Sequence, residues 1–147
     1  MAAFGKVSAE RLETCHPDLG KICHRVVRVF DISILEGARL DERQLMLFND
    51  GKSKLDGINE RSKHQVTEED PLSYAADVAP YPIDFDNEHK AKARFYMMAG
   101  HFFQAAEDLF AEGEITHLLR WGGDWDSDKE FDDQSFDDLP HFELIQA

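Results

Sequence analysis

The chain has little with which to cross-link itself, attract polyanions or span a bilayer. Two cysteines, Cys15 and Cys23, in 147 residues are too few for a disulfide scaffold. Their spacing fits no usual zinc pattern, so both are expected to be buried thiols. Basic residues are scarce, 16 Lys and Arg against 30 Asp and Glu, for a formal net charge of −14. That balance excludes non-specific nucleic-acid binding, which runs on cations that neutralise phosphates, and attraction to an anionic membrane surface. No apolar run approaches the roughly 20 residues that cross a bilayer. Met1-Ala-Ala-Phe-Gly-Lys6 lacks the basic-then-apolar order of a signal peptide, so synthesis and folding in the cytoplasm are expected. Internal repeats and a separate linker are also missing.

What is present suffices for one core. Hydrophobic residues make up 42% of the chain and include 11 Phe, and this length fits one domain spanning 1–147. Ser8 is an expected N-cap for a short first helix. Leu19, Ile22, Cys23, Val26, Val27 and Phe30 recur at helical spacing and predict an amphipathic helix over 18–30. Ile32 and Ile34 alternate with polar neighbours in a strand ending at Gly37, and a helix over 41–49 carries Leu45 and Phe48. A polar loop follows over 51–61. Ala75 to Val78 reads as a short strand on which Asp77 and Ala75 face one way, and Ala76 and Val78 the other. Pro80-Tyr81-Pro82 fixes its exit. Asn87 or Asp86 caps a helix of about two dozen residues that ends at Gly113. Leu118, Leu119 and Trp121 suggest another strand, and a last strand carries His141 and Glu143 on one face, Phe142 and Leu144 on the other. The fold class is α+β, one small domain with a mainly antiparallel sheet packed against helices.

Three residues stand out as metal ligands: His64, Asp77 and His141. Two His and one Asp, with a fourth position open, is the ligand count of a catalytic zinc site, expected here at the sheet edge. Spacing leaves open whether His64 and His141 meet. His16, His24, His89, His101 and His117 show no acidic or His partner at ligand spacing and are assigned surface or packing roles. Asp138, three residues before His141, is either a proton-transfer group beside the metal or one of many loop acids. Arg39, just after the expected strand end, either stabilises an oxyanion or pairs with the acidic loop. The segment Asp124-Trp-Asp126-Ser-Asp128-Lys-Glu130 resembles the start of a calcium loop. It has Lys129 where such loops place Gly and Ser135 where they place Glu, so calcium binding and a solvated acidic loop both stay open.

Seven segments occur in a single order: Glu36-Gly-Ala-Arg39, Gln44, Ser62-Lys-His64, Ala75-Ala-Asp77-Val78, Pro80-Tyr-Pro-Ile-Asp84, Trp121-Gly-Gly-Asp-Trp125 and Asp138-Leu-Pro-His141-Phe-Glu143. Together they resemble peptidase family M15, in the branch of phage L-alanyl-D-glutamate endopeptidases and D-alanyl-D-alanine carboxypeptidases. The resemblance implies zinc held by His64, Asp77 and His141, with Asp138 and Arg39 catalytic and Ser62 and Gln44 contacting substrate. It further implies hydrolysis of the peptidoglycan stem peptide, preferably at the L-alanyl-D-glutamate bond, by a monomer that reaches the cell wall after release. A D-alanyl-D-alanine carboxypeptidase and a non-catalytic zinc-containing binding protein are the alternatives. One departure is clear. Twelve residues separate His64 from Asp77, more than the family commonly has. The extra Thr-Glu-Glu-Asp-Pro-Leu region is expected to be a loop insertion able to lie over the cleft, with Asp70 as the rival ligand.

Overall fold

A computed structural model describes residues 2–131, 133–134 and 136–147. Four helices, α1 (Lys6–Glu13), α2 (Pro17–Val27), α3 (Asp41–Asn49) and α4 (Glu88–Ala111), accompany four strands, β1 (Ile32–Glu36), β2 (Ala75–Pro80), β3 (His117–Gly122) and β4 (Asp138–Gln146). The strands form one antiparallel sheet in the order β1-β2-β4-β3. The fold is the expected α+β.

The period-two alternation of the inner strands divides the molecule. Ala76 and Val78 of β2 and Phe142 and Leu144 of β4 enter a core shared with Leu19, Ile22 and Val26 of α2 and with Phe95, Met98 and Phe102 of α4. Phe102 stacks on Phe142 with ring centroids 4.0 Å apart. Both cysteines are free and buried; burial raises the Cys15 pKa to about 11, so neither thiol is a ready nucleophile. The opposite face of the same strands presents Asp77, His141 and Glu143 to a cleft.

Local chemistry shifts several boundaries. Ser8 does not cap α1, whose N-cap is Gly5; its hydroxyl accepts from the Ile34 N–H, tying the helix to β1. His16 is the N-cap of α2, its Nδ1 accepting from the Asp18 N–H, and the helix ends at Val27 before Phe30. Asn87 caps α4 by accepting from the Lys90 N–H. On α3 the buried residue is Gln44, while Leu45 and Phe48 are largely exposed. No helix among the described residues is long and apolar enough to cross a membrane.

His117 and His16 are not the isolated side chains their spacing suggests. The Asp18 carboxylate accepts from His117 Nδ1 at 2.8 Å and from the backbone N–H groups of Thr116 and His117, and His16 packs edge-on against His117. Asp18 thus fastens the start of α2 to the start of β3 across 99 residues. The three side chains converge closely enough to hold a metal ion, but they already satisfy one another.

Burial pushes the Asp18 pKa up, and the bonds from His117 and Thr116 outweigh it, leaving it below the ordinary value. A depressed folded-state pKa contributes stability above the unfolded value, about 3.9, and loses it as pH falls toward the folded one. Asp18→Ala is expected to cost about 1–3 kcal/mol at neutral pH. The difference in unfolding free energy from the parent should narrow below about pH 4; a gap that stays constant down to pH 2 in urea titrations would mean the carboxylate charge contributes nothing.

Candidate active site

Asp77 and His141 are direct cross-strand partners on the two inner strands, at the end of the β2–β4 ladder. The site therefore lies over the middle of the sheet, not at its lateral edge, because the strands that carry it are covered on both sides by β1 and β3. His64 arrives from a loop that the backbone fastens alongside Arg39. The Arg39 N–H donates to the His64 carbonyl at 2.7 Å and the Val66 N–H to the Arg39 carbonyl at 3.2 Å.

Each imidazole is oriented by the nitrogen that faces away from the cleft. His64 Nδ1 donates to the Gly37 carbonyl at 2.9 Å, leaving Nε2 as the free donor atom. His141 Nε2 donates to Glu143 Oε1 at 2.8 Å, leaving Nδ1. The Gly37 end is sterically closed. A Cβ there would stand 2.6 Å from the Arg11 carbonyl oxygen and 2.8 Å from Cys15 Sγ.

The free atoms converge. His64 Nε2 lies 3.2 Å from both Asp77 Oδ1 and His141 Nδ1, and His141 Nδ1 lies 3.4 Å from Asp77 Oδ1. Ligands about 2.0–2.1 Å from a tetrahedral zinc ion stand about 3.3 Å from one another, so the donor set fits that ion. The electrostatics agree. Burial disfavours a charged His141, yet Asp77 and Glu143 raise its pKa to about 9. Burial would raise Asp77, and the two imidazoles instead hold it well below the usual carboxylate range. Glu143 is pulled down to about 2 against its burial by His141 and Arg120. The pocket is built to hold positive charge at this point.

Asp138 reaches the same cleft by an irregularity. Residues three apart on a regular strand face opposite ways, so Asp138 and His141 should not share a face. The β3–β4 register slips between Trp121↔Phe142 and Gly122↔Asp138, and the bulge turns Asp138 toward the cleft. Pro140, with no N–H to leave unpaired, lies within it, and Trp121 Nε1 pins it by donating to the Leu139 carbonyl at 2.7 Å. Gly122 is required opposite, since a Cβ would meet the Asp138 backbone. Burial first, then the nearby Asp77, raise the Asp138 pKa above its ordinary value.

The other expected residues fall into distinct places. Arg39 lines the cleft and is 7% exposed. It bonds Glu36 at 2.9 Å and Gln44 at 2.8 Å, and approaches Asp77 Oδ2 at 3.5 Å. Among the described residues its pairing is with the site, not with the acidic loop, and two of its five N–H groups have no partner there. Ser62 lines the cleft and its hydroxyl accepts from the His64 N–H. Gln44 lies behind Arg39, fully buried and outside the lining. Its amide oxygen accepts from Arg39 while its NH2 donates to Ser53 and to the Leu55 carbonyl.

The segment inserted before Asp77 turns away. Thr67 and Asp70 close a tight exposed turn, and Ser73 pairs beside Cys15 on the far side of the chain. No residue of 65–76 lines the cleft, so the insertion does not cover it. The cleft, of about 480 Å³, is walled instead by residues 52–55, Trp125 and Phe136; of these only Trp125 lies in a segment that carries the family resemblance.

In the acidic loop Asp124, Asp126 and Asp128 converge to within 4.8 Å. Asp124 is 2% exposed and its Oδ1 has no partner among the described residues. Lys129 takes φ 66°, the left-handed conformation for which calcium loops use Gly at this position, so the residue type departs while the conformation does not. Ser135 lies outside the described residues.

The sequence pattern of the phage L-alanyl-D-glutamate peptidases matches residues 1–145. The L-alanyl-D-glutamate peptidase of Escherichia phage T5 is 30% identical over 136 residues, covering 89% of this chain and 87% of that protein. The crystal structure of the Serratia marcescens L-Ala D-Glu endopeptidase ChiX matches with a TM-score of 0.64 at 24% identity, covering 97% of this chain and 89% of that one. That likeness is one of fold.

The choice between Asp77 and Asp70 is directly measurable. Metal analysis after reconstitution at neutral pH should give about one zinc per chain for the parent and Asp70→Ala, and none for Asp77→Ala. The reverse pattern would misplace the third ligand.

Proposed function

The chain belongs to the phage L-alanyl-D-glutamate peptidase family, and on that premise we infer that it hydrolyses the peptide stem of peptidoglycan with one zinc ion held by His64, Asp77 and His141. The observation that carries the reading is the convergence of three donor atoms 3.2–3.4 Å apart on the floor of a cleft that Asp138 also lines. When bound, zinc would polarise the scissile carbonyl and lower the pKa of water to about 7.

The chain's own groups account for the rest. Asp138, whose affinity for protons is raised by burial and by Asp77, takes a proton from the attacking water and delivers it to the departing amine. The uncommitted N–H groups of Arg39 face the developing oxyanion; one such donor is worth about 2.7–4 kcal/mol. Gln44 and Glu36 hold that guanidinium, which makes Gln44 a positioning residue. Ser62 lies beside the path of the substrate. All these groups come from one chain, so the reading requires no second copy, and we propose a monomer working through one catalytic domain over 1–147. It acts on the cell wall after release from the cell that makes it.

We further propose that the acidic loop binds calcium through Asp124, Asp126 and Asp128. The orphaned, buried Asp124 Oδ1 supports this, as does the pressure on Asp124, whose pKa burial and its acidic neighbours raise.

Two measurements test these readings. Digestion of purified peptidoglycan should expose new D-glutamate amino termini by mass spectrometry; release of D-alanine alone would identify the carboxypeptidase. Asp138→Asn should cut that rate about 10²–10⁴-fold with zinc content unchanged, and full activity in the variant would leave the proton transfer without its group. For the loop, calcium at about a hundredfold its Kd should stabilise the parent by about 2.7 kcal/mol. An equal shift in Asp124→Ala would place the ion elsewhere.

A further inference from the structure

Charge is distributed unevenly over this acidic chain. Of its 16 Lys and Arg, six line the cleft, against four of its 30 Asp and Glu. Most of these cations are committed. Arg39 holds Glu36 and Asp77, Arg120 holds Glu143, Arg61 pairs with Asp41, and Lys63 donates to the Leu144 carbonyl. Lys52 and Lys54 have no carboxylate partner among the described residues.

Lys54 is the better placed of the two. The fully buried Gln44 donates to Ser53 Oγ at 2.9 Å and to the Leu55 carbonyl at 2.6 Å, so the backbone is pinned on either side of it. Its ammonium lies 4.3 Å above the Phe136 ring. Phe136 stacks parallel on Trp125, and Trp125 packs 5.5 Å from His141. A continuous aromatic wall thus leads from the metal ligand to an ammonium at the rim. An aromatic face holds a cation in place while leaving its N–H donors free for an anion.

We propose that Lys54 is a specificity determinant that binds a free carboxylate of the stem peptide. The proposal rests on the peptidase reading above. The stem supplies that chemistry in two places. Its D-glutamate continues the chain through the side-chain carboxyl, so the α-carboxylate stays free next to the scissile bond. A diamino acid at the following position can carry a second. Against a molecule of net charge −14, such a substrate needs a local cation at the entrance.

The experiment compares synthetic stem peptides. One pair carries D-glutamate or its α-amide, D-isoglutamine; a second pair carries meso-diaminopimelate or L-lysine at the next position. The parent should favour the free carboxylate in one pair by about fivefold in kcat/KM, the scale of a partly exposed ion pair, mainly through KM. Lys54→Met should bring that ratio close to one, and Lys54→Arg should restore it. The pair that responds identifies the carboxylate. An equal fall on all four peptides would assign Lys54 to packing on Phe136 and overturn the proposal, as would unchanged ratios. A parent that cuts none of them while binding zinc would overturn the peptidase reading and the proposal with it.

Discussion

The antiparallel pairing of β2 with β4 is the interaction on which the rest depends. It sets Asp77 opposite His141 and, by the same alternation, sets Ala76 and Phe142 into the core. One ladder therefore fixes both Asp77 and His141 of the candidate site and the packing that stabilises them. Slipping one of the two strands by one residue would turn its apolar side chains into the cleft and its site residue, Asp77 or His141, into the helices. The burial of Phe142 and Leu144, both fully enclosed, is thereby spent on holding the register of the site.

Around that ladder the polar groups restrain one another in sequence. Gly37 and Glu143 each accept a hydrogen bond from one imidazole N–H, which selects the nitrogen that faces inward. Arg120 holds Glu143, and Glu36 with Gln44 holds Arg39. Gln44 extends this order outward by bonding the 53–55 segment, so the cleft wall and the arginine are positioned by a single amide. Burying so many polar groups is tolerable because nearly all find partners; among the described residues the exceptions are Arg120 Nε and Asp124 Oδ1.

Alternation and helical periodicity exposed much of this in the sequence. The faces of 75–78 and 141–144, the long fourth helix with its Asn87 cap, and the convergence of His64, Asp77 and His141 within one fold all follow from local pattern joined to family resemblance. Other features depend on events that local pattern does not encode. Asp138 shares a face with His141 only because a bulge interrupts the strand. Gln44 is buried because its amide has three partners, Arg39 and two contributed by the loop at Ser53 and Leu55, whereas Leu45 and Phe48, the apolar choices, lie outward. The Asp18–His117 bond joins positions 99 residues apart, and the direction of the 65–74 segment is set by pairing at Cys15. The Gly-like conformation of Lys129 was hidden by its residue type.

The strand order also bears on when the protein becomes active during its synthesis. β4 is translated after every other element, yet it lies between β2 and β3 in the sheet. Until it emerges, β3 has no neighbour to pair with and Asp77 faces an empty ladder. His141 and Asp138 arrive only with this strand. Long-range pairing of this kind forms late because the intervening chain must be ordered to close it. A chain that ends before β4 therefore lacks Phe142 and Leu144 of the core together with His141 and Asp138 of the site.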